Sequence, residues 1–375
     1  MERLIKLLPK RVMAAKNGMK SAGLDAVLIT DPVNVMWLSD FRSTNAAVLL
    51  TRKEGFLITD FRYIEAAEKN TAGLTPVKTD RSFTLFDFIN KVRPENLGIE
   101  EEYITYSFFN ELCEKIDGLS RKDGVCGNSC GKESFLKPAG NLIRDLRVIK
   151  DDYEKDCLRR AEAIGDEAFA HILSLLKPGM TENEVALELE FFMRKAGAEG
   201  LSFDTIAVSG VKSSMPHGQP SDKKICEGEF LTMDYGCKYR GYCSDMTRTV
   251  CFGEPSEKMQ RIYDIVKLAQ ETTVGVISSG KPAKEIDRTA RDIIKYNKYD
   301  EYFGHGLGHG VGLEIHEAPT ANTASREVLA PDMAVTVEPG IYLPGEFGVR
   351  IEDLVLVTET GCEVLSSSTK ELIII

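Results

Sequence analysis

The sequence of 375 residues lacks three features that would indicate a membrane or nucleic-acid function. No apolar run approaches the roughly 20 residues that are needed to span a bilayer. The N-terminal stretch MERLIKLLPKRVMAAKNGMK carries a charge every few residues, so the uninterrupted apolar core of a signal peptide is absent. Positive charge is in deficit, with 47 Lys and Arg against 58 Asp and Glu. The net charge of −11 argues against nucleic acid or an anionic membrane as the main partner.

Cysteine pairing is also absent from the sequence pattern. The nine cysteines are an odd number, scattered through a chain long enough to fold without disulfides. Cys126 and Cys130 form a CxxxC with no second pair at the spacing of a zinc site, which disfavours a structural zinc. We therefore predict reduced thiols and a cytoplasmic protein.

The length and the hydrophobic patterning predict two domains. The N-terminal part alternates helical and strand patterns, as a small α/β domain does. The predicted helices cover residues 11–22 and 63–69, and the predicted strands cover 26–30, 46–50, 55–58 and 97–99. Residues 125–140 collect Gly, Ser and Pro without periodicity, and a strongly helical pattern begins near Lys150. We therefore expect an N-terminal domain over residues 1–140 and a second domain over residues 141–375.

The second domain repeats one order of elements. A long helical pattern, at 151–176 and again at 257–277, is followed each time by a helix headed by Lys-Pro. An acidic residue in an apolar strand lies 56 positions after each of these prolines, at Asp234 and at Glu338. The repeated order predicts an internal duplication, with the active site along the seam between the halves.

Two predicted hairpins would each place a pair of carboxylates on one face. In TMDYGCKYRGYCSDMTRTV, residues 232–250, a turn centred between Tyr239 and Arg240 sets Asp234 opposite Asp245. In AVTVEPGIYLPGEFGVRIEDLVLVT, residues 334–358, a turn centred near Gly345 sets Glu338 opposite Glu352. Like charges directly opposite one another destabilise a sheet, so these pairs indicate a bound cation; a solvated sheet face is the alternative. Arg350 shares the face of Glu352 and would orient a carboxylate or form a surface ion pair.

Histidine is scarce, and three of the five histidines fall in GHGLGHGVGLEIH, residues 304–316. His305 and His309 are four residues apart, but glycine at alternate positions from 304 to 312 excludes a helical zinc motif. Such glycines suit a strand or loop that another group approaches closely. We therefore predict site roles for His305, His309 and His316. His217, in the turn-rich SSMPHG, is open between a site residue and a loop histidine, and His171 is predicted to be structural.

One imidazole and four carboxylates form a mostly oxygen ligand set, suited to Mn²⁺, Co²⁺, Fe²⁺ or Zn²⁺. Five ligands on paired strands can hold two ions about 3.5–4 Å apart, which share a hydroxide and polarise a carbonyl. The residues alone therefore predict metal-assisted hydrolysis, without specifying the substrate.

The motifs around these five residues resemble those of the "pita-bread" metallopeptidases, which include methionine aminopeptidase, aminopeptidase P and prolidase. The strings similar to the proline-specific branch are PHGQPSD, MDYGCKYRGYCSDMTRT, GHGLGHGVGLEIHEAP and VEPGIYLPGEFGVRIED. This resemblance covers about residues 145–375, and DPVNVMWLSDF is similar to the creatinase-type domain that precedes the catalytic domain in aminopeptidase P and prolidase. It implies an α+β protein with a small α/β creatinase-type N-terminal domain and a duplicated pita-bread catalytic domain.

The resemblance also implies a division of the metal ligands between two ions. Asp234 would chelate one ion, Asp245 and Glu352 would bridge both ions, and His309 and Glu338 would complete the other.

Further roles follow from the same resemblance. Glu338 would be the acid/base partner, and His316 would steady the tetrahedral intermediate or bind the substrate. His217 and His305 would contact the substrate or relay protons near the leaving proline nitrogen, and Arg350 would orient a bridging carboxylate.

The activity that the resemblance implies is hydrolysis of the Xaa-Pro bond at the N-terminus of peptides. Aminopeptidase P activity is the slightly favoured expectation, and an Xaa-Pro dipeptidase (prolidase) is the alternative. A non-catalytic binding module on the same fold is a remote alternative, because relatives with that role have lost ligands that are present here. The expected cofactor is a pair of divalent ions, most often Mn²⁺, with Co²⁺ or Zn²⁺ also compatible, and the expected assembly is a homodimer.

Overall fold

The computed structural model describes residues 2–116 and 135–375, which form two compact units that divide between Arg147 and Val148. Cys126 and Cys130 lie outside the described residues. The division follows residue 147 rather than 140 because a short helix at Leu142–Val148 belongs mostly to the first unit, where Leu142 contacts Gly18.

The first unit is a six-stranded mixed sheet with helices. Its strands are β1 (Ala26–Ile29), β2 (Ala46–Thr51), β3 (Gly55–Asp60), β4 (Thr75–Thr79), β5 (Leu97–Ile99) and β6 (Leu136–Pro138), and their order in the sheet is β4-β3-β2-β1-β5-β6. Its helices are α1 (Glu2–Ser21), α2 (Pro32–Ser39), α3 (Ile64–Asn70), α4 (Leu85–Val92), α5 (Tyr106–Lys115) and α6 (Leu142–Val148). The strands predicted at 26–30, 46–50, 55–58 and 97–99 are all present. The α/β prediction for this part of the chain is therefore confirmed.

Helix α2 is an element that the sequence analysis did not predict. Asp31 ends the preceding strand segment and also caps the helix, because its side chain accepts a hydrogen bond from the Val33 amide at 2.9 Å. Pro32 occupies the first helical position, where its missing N–H has no intrahelical partner to lose. The pair Asp31-Pro32 therefore begins helix α2 as well as following the end of strand β1.

The second unit contains the predicted repeat of a long helix and a shorter helix. The first pair is α7 (Asp152–Leu175) and α8 (Glu182–Lys195), and the second pair is α9 (Glu257–Val276) and α10 (Ala283–Tyr296). Each pair packs on its own apolar core. Ile164 and Leu189 pack with the buried residues of the first half, and Ile262 and Ile286 pack with those of the second half.

Strands follow each helix pair. After α8 come β7 (Gly200–Leu201), β8 (Ile206–Ser209), β9 (Glu229–Tyr235), β10 (Cys237–Tyr239), β11 (Tyr242–Cys243) and β12 (Met246–Phe252). After α10 come β13 (Gly308–Gly310), β14 (Glu317–Ala321), β15 (Ala334–Val337), β16 (Gly340–Leu343), β17 (Phe347–Arg350), β18 (Asp353–Val357) and β19 (Cys362–Val364). The main sheets have the orders β12-β9-β8 and β14-β13-β15-β18-β19.

The register of the first predicted hairpin was wrong by two residues. Asp234 lies opposite Thr247, because β9 and β12 pair so that the two residue numbers add up to 481 rather than 479. The cause is a two-residue turn at Arg240 and Gly241, whose φ values of 51° and 86° are both positive, as a type I′ turn requires. A shift of two residues keeps Asp234 and Asp245 on one face of the ribbon, because side chains alternate with period two.

The register of the second hairpin is the predicted one. Val337 pairs with Asp353 on one side of the carboxylates, and Gly340 pairs with Arg350 on the other side. Glu338 and Glu352 fall between these two ladders at opposite positions. The turn occupies residues 344–346, as predicted around Gly345, which has a φ of 77°.

The glycine-rich segment at 304–312 is loop and strand, as predicted, and its backbone is closely approached. A Cβ atom on Gly308 would lie 2.1 Å from the carbonyl oxygen of Thr336, so no other residue fits there. This contact brings His309 against the strand that leads to Glu338.

Across residues 2–116 and 135–375, no helix has the length and apolar character that a membrane-crossing helix needs. The cysteines of this part of the chain are free thiols.

The positive φ of Gly241 makes a testable prediction for stability. We expect Gly241→Ala to lower the free energy of unfolding by about 1 kcal/mol, because a Cβ atom disfavours the left-handed region. Gly275, inside α9 with open space around its Cα, is the matched control, and Gly275→Ala should raise the free energy of unfolding by about 0.5 kcal/mol. Urea unfolding followed by far-UV circular dichroism measures both changes, and equal effects of the two variants would contradict the strained turn.

Candidate metal site

The predicted metal ligands converge in the second unit. Asp234, Asp245 and Glu352 each offer one carboxylate oxygen, and these three oxygens lie within 4.8 Å of one another. The Nε2 atom of His309 lies 3.6 Å from Oδ2 of Asp245 and 3.3 Å from Oε1 of Glu338. Residues from both halves of the unit therefore meet at one point.

These carboxylates are buried, which excludes the solvated sheet face. Asp245 is 5% exposed and Glu352 is 1% exposed. Burial and the neighbouring carboxylates raise the pKa of both groups well above the ordinary range. Burial, with the charge of Asp234 adding to it, also raises the pKa of Glu338 to about 8. Without a cation, the site therefore holds protons that a metal ion would displace.

The residues present fit a metal ion. The Oδ1 atom of Asp234 is buried and has no hydrogen-bond partner. The Nδ1 atom of His309 lies 3.1 Å from the carbonyl oxygen of Gly310, which assigns the ring hydrogen to Nδ1 and leaves the Nε2 lone pair facing two carboxylates. Burial lowers the pKa of His309 to about 4, so its ring is neutral at pH 7. Facing lone pairs repel unless a cation lies between them.

Thr247 ties the two carboxylate hairpins together. Its hydroxyl donates to Oε2 of Glu352 at 2.6 Å, and its carbonyl oxygen accepts from the Glu352 amide at 3.2 Å. Because Thr247 also lies opposite Asp234 in the ladder, one residue fixes ligands from both hairpins. Thr247 was not predicted from the sequence. Its position two residues after Asp245 nevertheless indicates that the two side chains lie on the same face of the strand.

Arg350 is buried in the site and is not a surface residue. Its Nη2 atom lies 2.5 Å from Oδ2 of Asp234, and its Nε donates to the Thr247 hydroxyl at 3.0 Å. It therefore contacts Asp234 directly and reaches the predicted bridging ligand Glu352 through Thr247. The contact with Asp234 is a charge-assisted hydrogen bond that fixes the orientation of that carboxylate.

His305 takes part in a hydrogen-bonded chain with Tyr342. Nδ1 of His305 donates to the carbonyl oxygen of Gly306 at 2.8 Å, and Nε2 accepts from the Tyr342 hydroxyl at 2.9 Å. The Tyr342 oxygen in turn accepts from Nη1 of Arg350 at 2.8 Å. Burial lowers the pKa of His305 to about 4, and burial raises the pKa of Tyr342 to about 12, so both are neutral at pH 7. Tyr342 was not predicted to be a site residue, because a single tyrosine in an apolar strand is typical of the hydrophobic core.

The remaining predicted histidines lie at the same cavity. The His316 ring stands edge-on to that of His309, with 4.4 Å between centroids. His217 is exposed and lines the cavity, which has a volume of about 850 Å³. His171, predicted to be structural, stacks on Phe192 at 4.4 Å and is not among the residues lining the cavity.

Glu162 is a supporting residue that no sequence signal indicated. It is fully buried in α7, and its Oε1 accepts a hydrogen bond from the Asp245 amide at 2.8 Å. Its other oxygen accepts from the Ser366 hydroxyl at 3.2 Å, and burial raises its pKa to about 8. Glu162 lies 83 residues from Asp245, so only the fold shows the contact.

Comparison with known proteins gives two family matches. Residues 156–359 match the model of metallopeptidase family M24, and residues 11–149 match the creatinase/prolidase N-terminal domain.

Three relatives cover nearly the whole chain. An Xaa-Pro dipeptidase from Pyrococcus furiosus is 38% identical over 95% of this chain and 97% of its own length. The structure of an Xaa-Pro dipeptidase from Bacillus anthracis has a TM-score of 0.91 at 43% identity, covering 98% of this chain and 100% of that one. The structure of an X-Pro aminopeptidase from Thermotoga maritima has a TM-score of 0.86 at 34% identity, covering 96% and 100%.

The raised pKa of the site carboxylates predicts how the effect of a metal ion on protein stability depends on pH. Because Glu338 binds its proton more tightly in the folded state (pKa about 8) than at its ordinary value of 4.5, the folded metal-free protein should lose stability as pH rises between these values. A divalent ion should therefore raise the melting temperature more at pH 8 than at pH 5.5. Differential scanning fluorimetry of metal-stripped protein, with and without Mn²⁺, measures this. An equal increase at both pH values would contradict it, and Asp245→Asn is the control that should lose the increase.

Proposed function

The chain belongs to metallopeptidase family M24, and we propose that it hydrolyses the Xaa-Pro bond of dipeptides with two divalent metal ions. The observation that carries the proposal is the convergence of four carboxylates and one neutral imidazole at a single buried cavity wall. The dipeptidase alternative is favoured over aminopeptidase P because the more identical of the compared proteins carry the dipeptidase name. The complete ligand set also argues against a non-catalytic binding module.

The proposed division of the ligands between two ions follows the family resemblance, and the convergence of the five side chains supports it. Asp234 would hold one ion, His309 and Glu338 would hold the other, and Asp245 and Glu352 would be ligands shared by both. Two ions held there would activate a water molecule and polarise the scissile carbonyl.

The proton steps fall to the chain's own side chains. Glu338, which accepts a hydrogen bond from the Thr336 hydroxyl at 3.1 Å, takes the proton of the attacking water and passes it to the leaving proline nitrogen. His316 donates to the developing oxyanion. His217 and His305 contact the proline side, where the chain of His305, Tyr342 and Arg350 keeps the imidazole neutral and oriented.

Aminopeptidase P activity remains a second candidate because of one observation. A dipeptide presents a free carboxylate next to proline, which calls for a cationic partner. Among the described residues that line the cavity there is no lysine, and the one arginine, Arg350, is engaged with Asp234. A longer peptide would not need that partner.

The resemblance further supports Mn²⁺ as the ion and a homodimer as the assembly, and the unpaired cysteines support the cytoplasm as the location. An oxygen-rich ligand set is compatible with Mn²⁺. These three assignments are part of the proposal.

Hydrolysis of Ala-Pro and of Ala-Pro-Ala separates the two candidate activities. We expect metal-stripped protein to be inactive, and Mn²⁺ to restore hydrolysis of Ala-Pro with at least a tenfold higher kcat/KM than that of Ala-Pro-Ala, which is about 1.4 kcal/mol of discrimination. Cleavage of the tripeptide after alanine at an equal or higher rate would establish an aminopeptidase P instead. Absence of hydrolysis of both peptides with Mn²⁺, Co²⁺ and Zn²⁺ would refute the proposed function.

The Asp245→Ala variant tests the two-metal site itself. We expect kcat/KM to fall by about 10³-fold or more, because a shared ligand of both ions is lost. The free energy of unfolding without metal should stay within about 1 kcal/mol of the wild type, because a buried repelling carboxyl group is removed. Glu227→Ala, which removes an exposed carboxylate outside the cavity, is the control. Full activity of Asp245→Ala would rule out the two-metal assignment.

A further inference from the structure

One wall of the catalytic cavity is acidic and plays no part in the metal site. It is built by one face of α8 and by the segment that enters β8. The α8 residues on this wall follow helical spacing, and the wall residues are Asn183, Ala186, Leu187, Glu190, Phe203, Asp204, Thr205 and Ile206. We call this surface the α8 wall.

The two carboxylates of the α8 wall have no protein partner. The side chains of Glu190 and Asp204 make no hydrogen bond or ion pair with any residue in the described part of the chain. Two divalent ions would offset the charges of the four ligand carboxylates, and Arg350 is engaged with Asp234. The charge that remains in the cavity is therefore negative and is concentrated on Glu190 and Asp204.

A buried hydroxyl group of the α8 wall is also without a partner. Thr205 is 4% exposed and lines the cavity, and its Oγ1 makes no hydrogen bond. A buried hydroxyl without a partner costs free energy, so such a group at a cavity is typical of a site that a ligand completes. Thr205 directly follows Asp204, and both residues line the cavity.

The position of Asp204 relative to the metal site follows from the sheet register. Ile206 lies opposite Asp234 in the ladder of β8 and β9. Asp204 precedes Ile206 by two residues and lines the same cavity as Asp234. The carboxylate of Asp204 therefore lies beside the strand that packs against the strand of a proposed metal ligand.

The rest of the α8 wall is apolar. Leu187 of α8 lines the cavity and is 65% exposed, and Phe203 and Ile206 flank Asp204 along the chain and also line the cavity. A lysine or arginine side chain has an apolar stem and a cationic tip, so its stem would cover Leu187 while its tip reaches a carboxylate. A glutamate side chain would instead meet like charge, and a purely apolar side chain would leave both carboxylates unpaired.

We propose that the α8 wall is the subsite for the side chain of the N-terminal substrate residue, and that Asp204 and Glu190 select lysine or arginine there. The inference rests on the proposed Xaa-Pro exopeptidase function and names its preferred substrate class. The proline side of the scissile bond then lies toward Arg350 and His305, across β9 from β8.

The test compares substrates that differ only in charge. Lys-Pro, norleucine-Pro and Glu-Pro are assayed with the Mn²⁺-loaded full chain, each as the dipeptide and with an added C-terminal alanine. For the wild type we expect kcat/KM for Lys-Pro to exceed that for norleucine-Pro by about three- to tenfold, and Glu-Pro to be the poorest substrate. The preference should weaken between 0.05 and 0.5 M salt, because screening reduces interactions between charges that water can reach.

Variants assign the preference to its residues. Asp204→Asn and Glu190→Gln should each lower the ratio of kcat/KM for Lys-Pro to that for norleucine-Pro by about threefold. Glu188→Gln, two positions before Glu190 on α8 and outside the cavity lining, is the matched control and should leave the ratio unchanged.

The possible outcomes distinguish a failure of this inference from a failure of the proposed Xaa-Pro hydrolysis. Hydrolysis of norleucine-Pro with a ratio near one in the wild type, or a ratio that neither variant changes, overturns the inference and leaves the proposed function standing. Hydrolysis of no substrate in either form overturns both. An equal fall of the Lys-Pro to norleucine-Pro ratio in Glu188→Gln also overturns the assignment to the α8 wall. The effect would then come from the total charge of the helix and not from the residues that line the cavity.

Discussion

Mutual repulsion among four carboxylates, two of them buried and two partly buried, is the constraint that shapes the second unit. Asp234, Asp245, Glu338 and Glu352 are drawn together where burial limits screening by water, and the raised pKa of the last three expresses the cost. A core of this composition is stable only with protons or cations in it. A bound cation would therefore stabilise this cluster, and this is a physical reason for a metallopeptidase to contain it.

The supporting contacts hold the carboxylates in place without neutralising them. Thr247 and Thr336 donate hydroxyl hydrogen bonds to two of them, and Glu162 fixes the backbone of a third through its amide. These neutral contacts orient oxygen atoms and leave their charge available. Arg350 is the exception, and its single charge falls on Asp234, so the remaining negative charge faces the cavity.

The sequence predicted the elements of the site better than their register. The loop around Gly345 was centred correctly, so the opposition of Glu338 and Glu352 followed. The register of the first hairpin was predicted wrongly because Arg240 adopts a positive φ. Such a φ is uncommon for a non-glycine residue and could not be predicted from the residue type. Glu162 and Tyr342 could not be predicted, because they lie in different elements from the groups they contact and their patterns are those of ordinary helix and core residues. Spacing identified the four carboxylates, and the family motifs supplied what spacing alone could not, which is the choice of His309 as the fifth ligand and the division of the ligands between two ions.

The ligands are divided between two halves that each have their own helix pair and their own core. Asp234 and Asp245 precede the connection at 253–256, and His309, Glu338 and Glu352 follow it. The proposed metal centre is therefore an interface between two halves of one chain, and Thr247 pairs with Asp234 of one half and contacts the carboxylate of Glu352 of the other. If the peptide bond after Glu254 were cut, closing this interface would become a bimolecular association of two fragments, and the concentrations of the fragments and of the ion would jointly set the assembled fraction. The connection thus supplies the effective concentration at which the two halves of the ligand set meet.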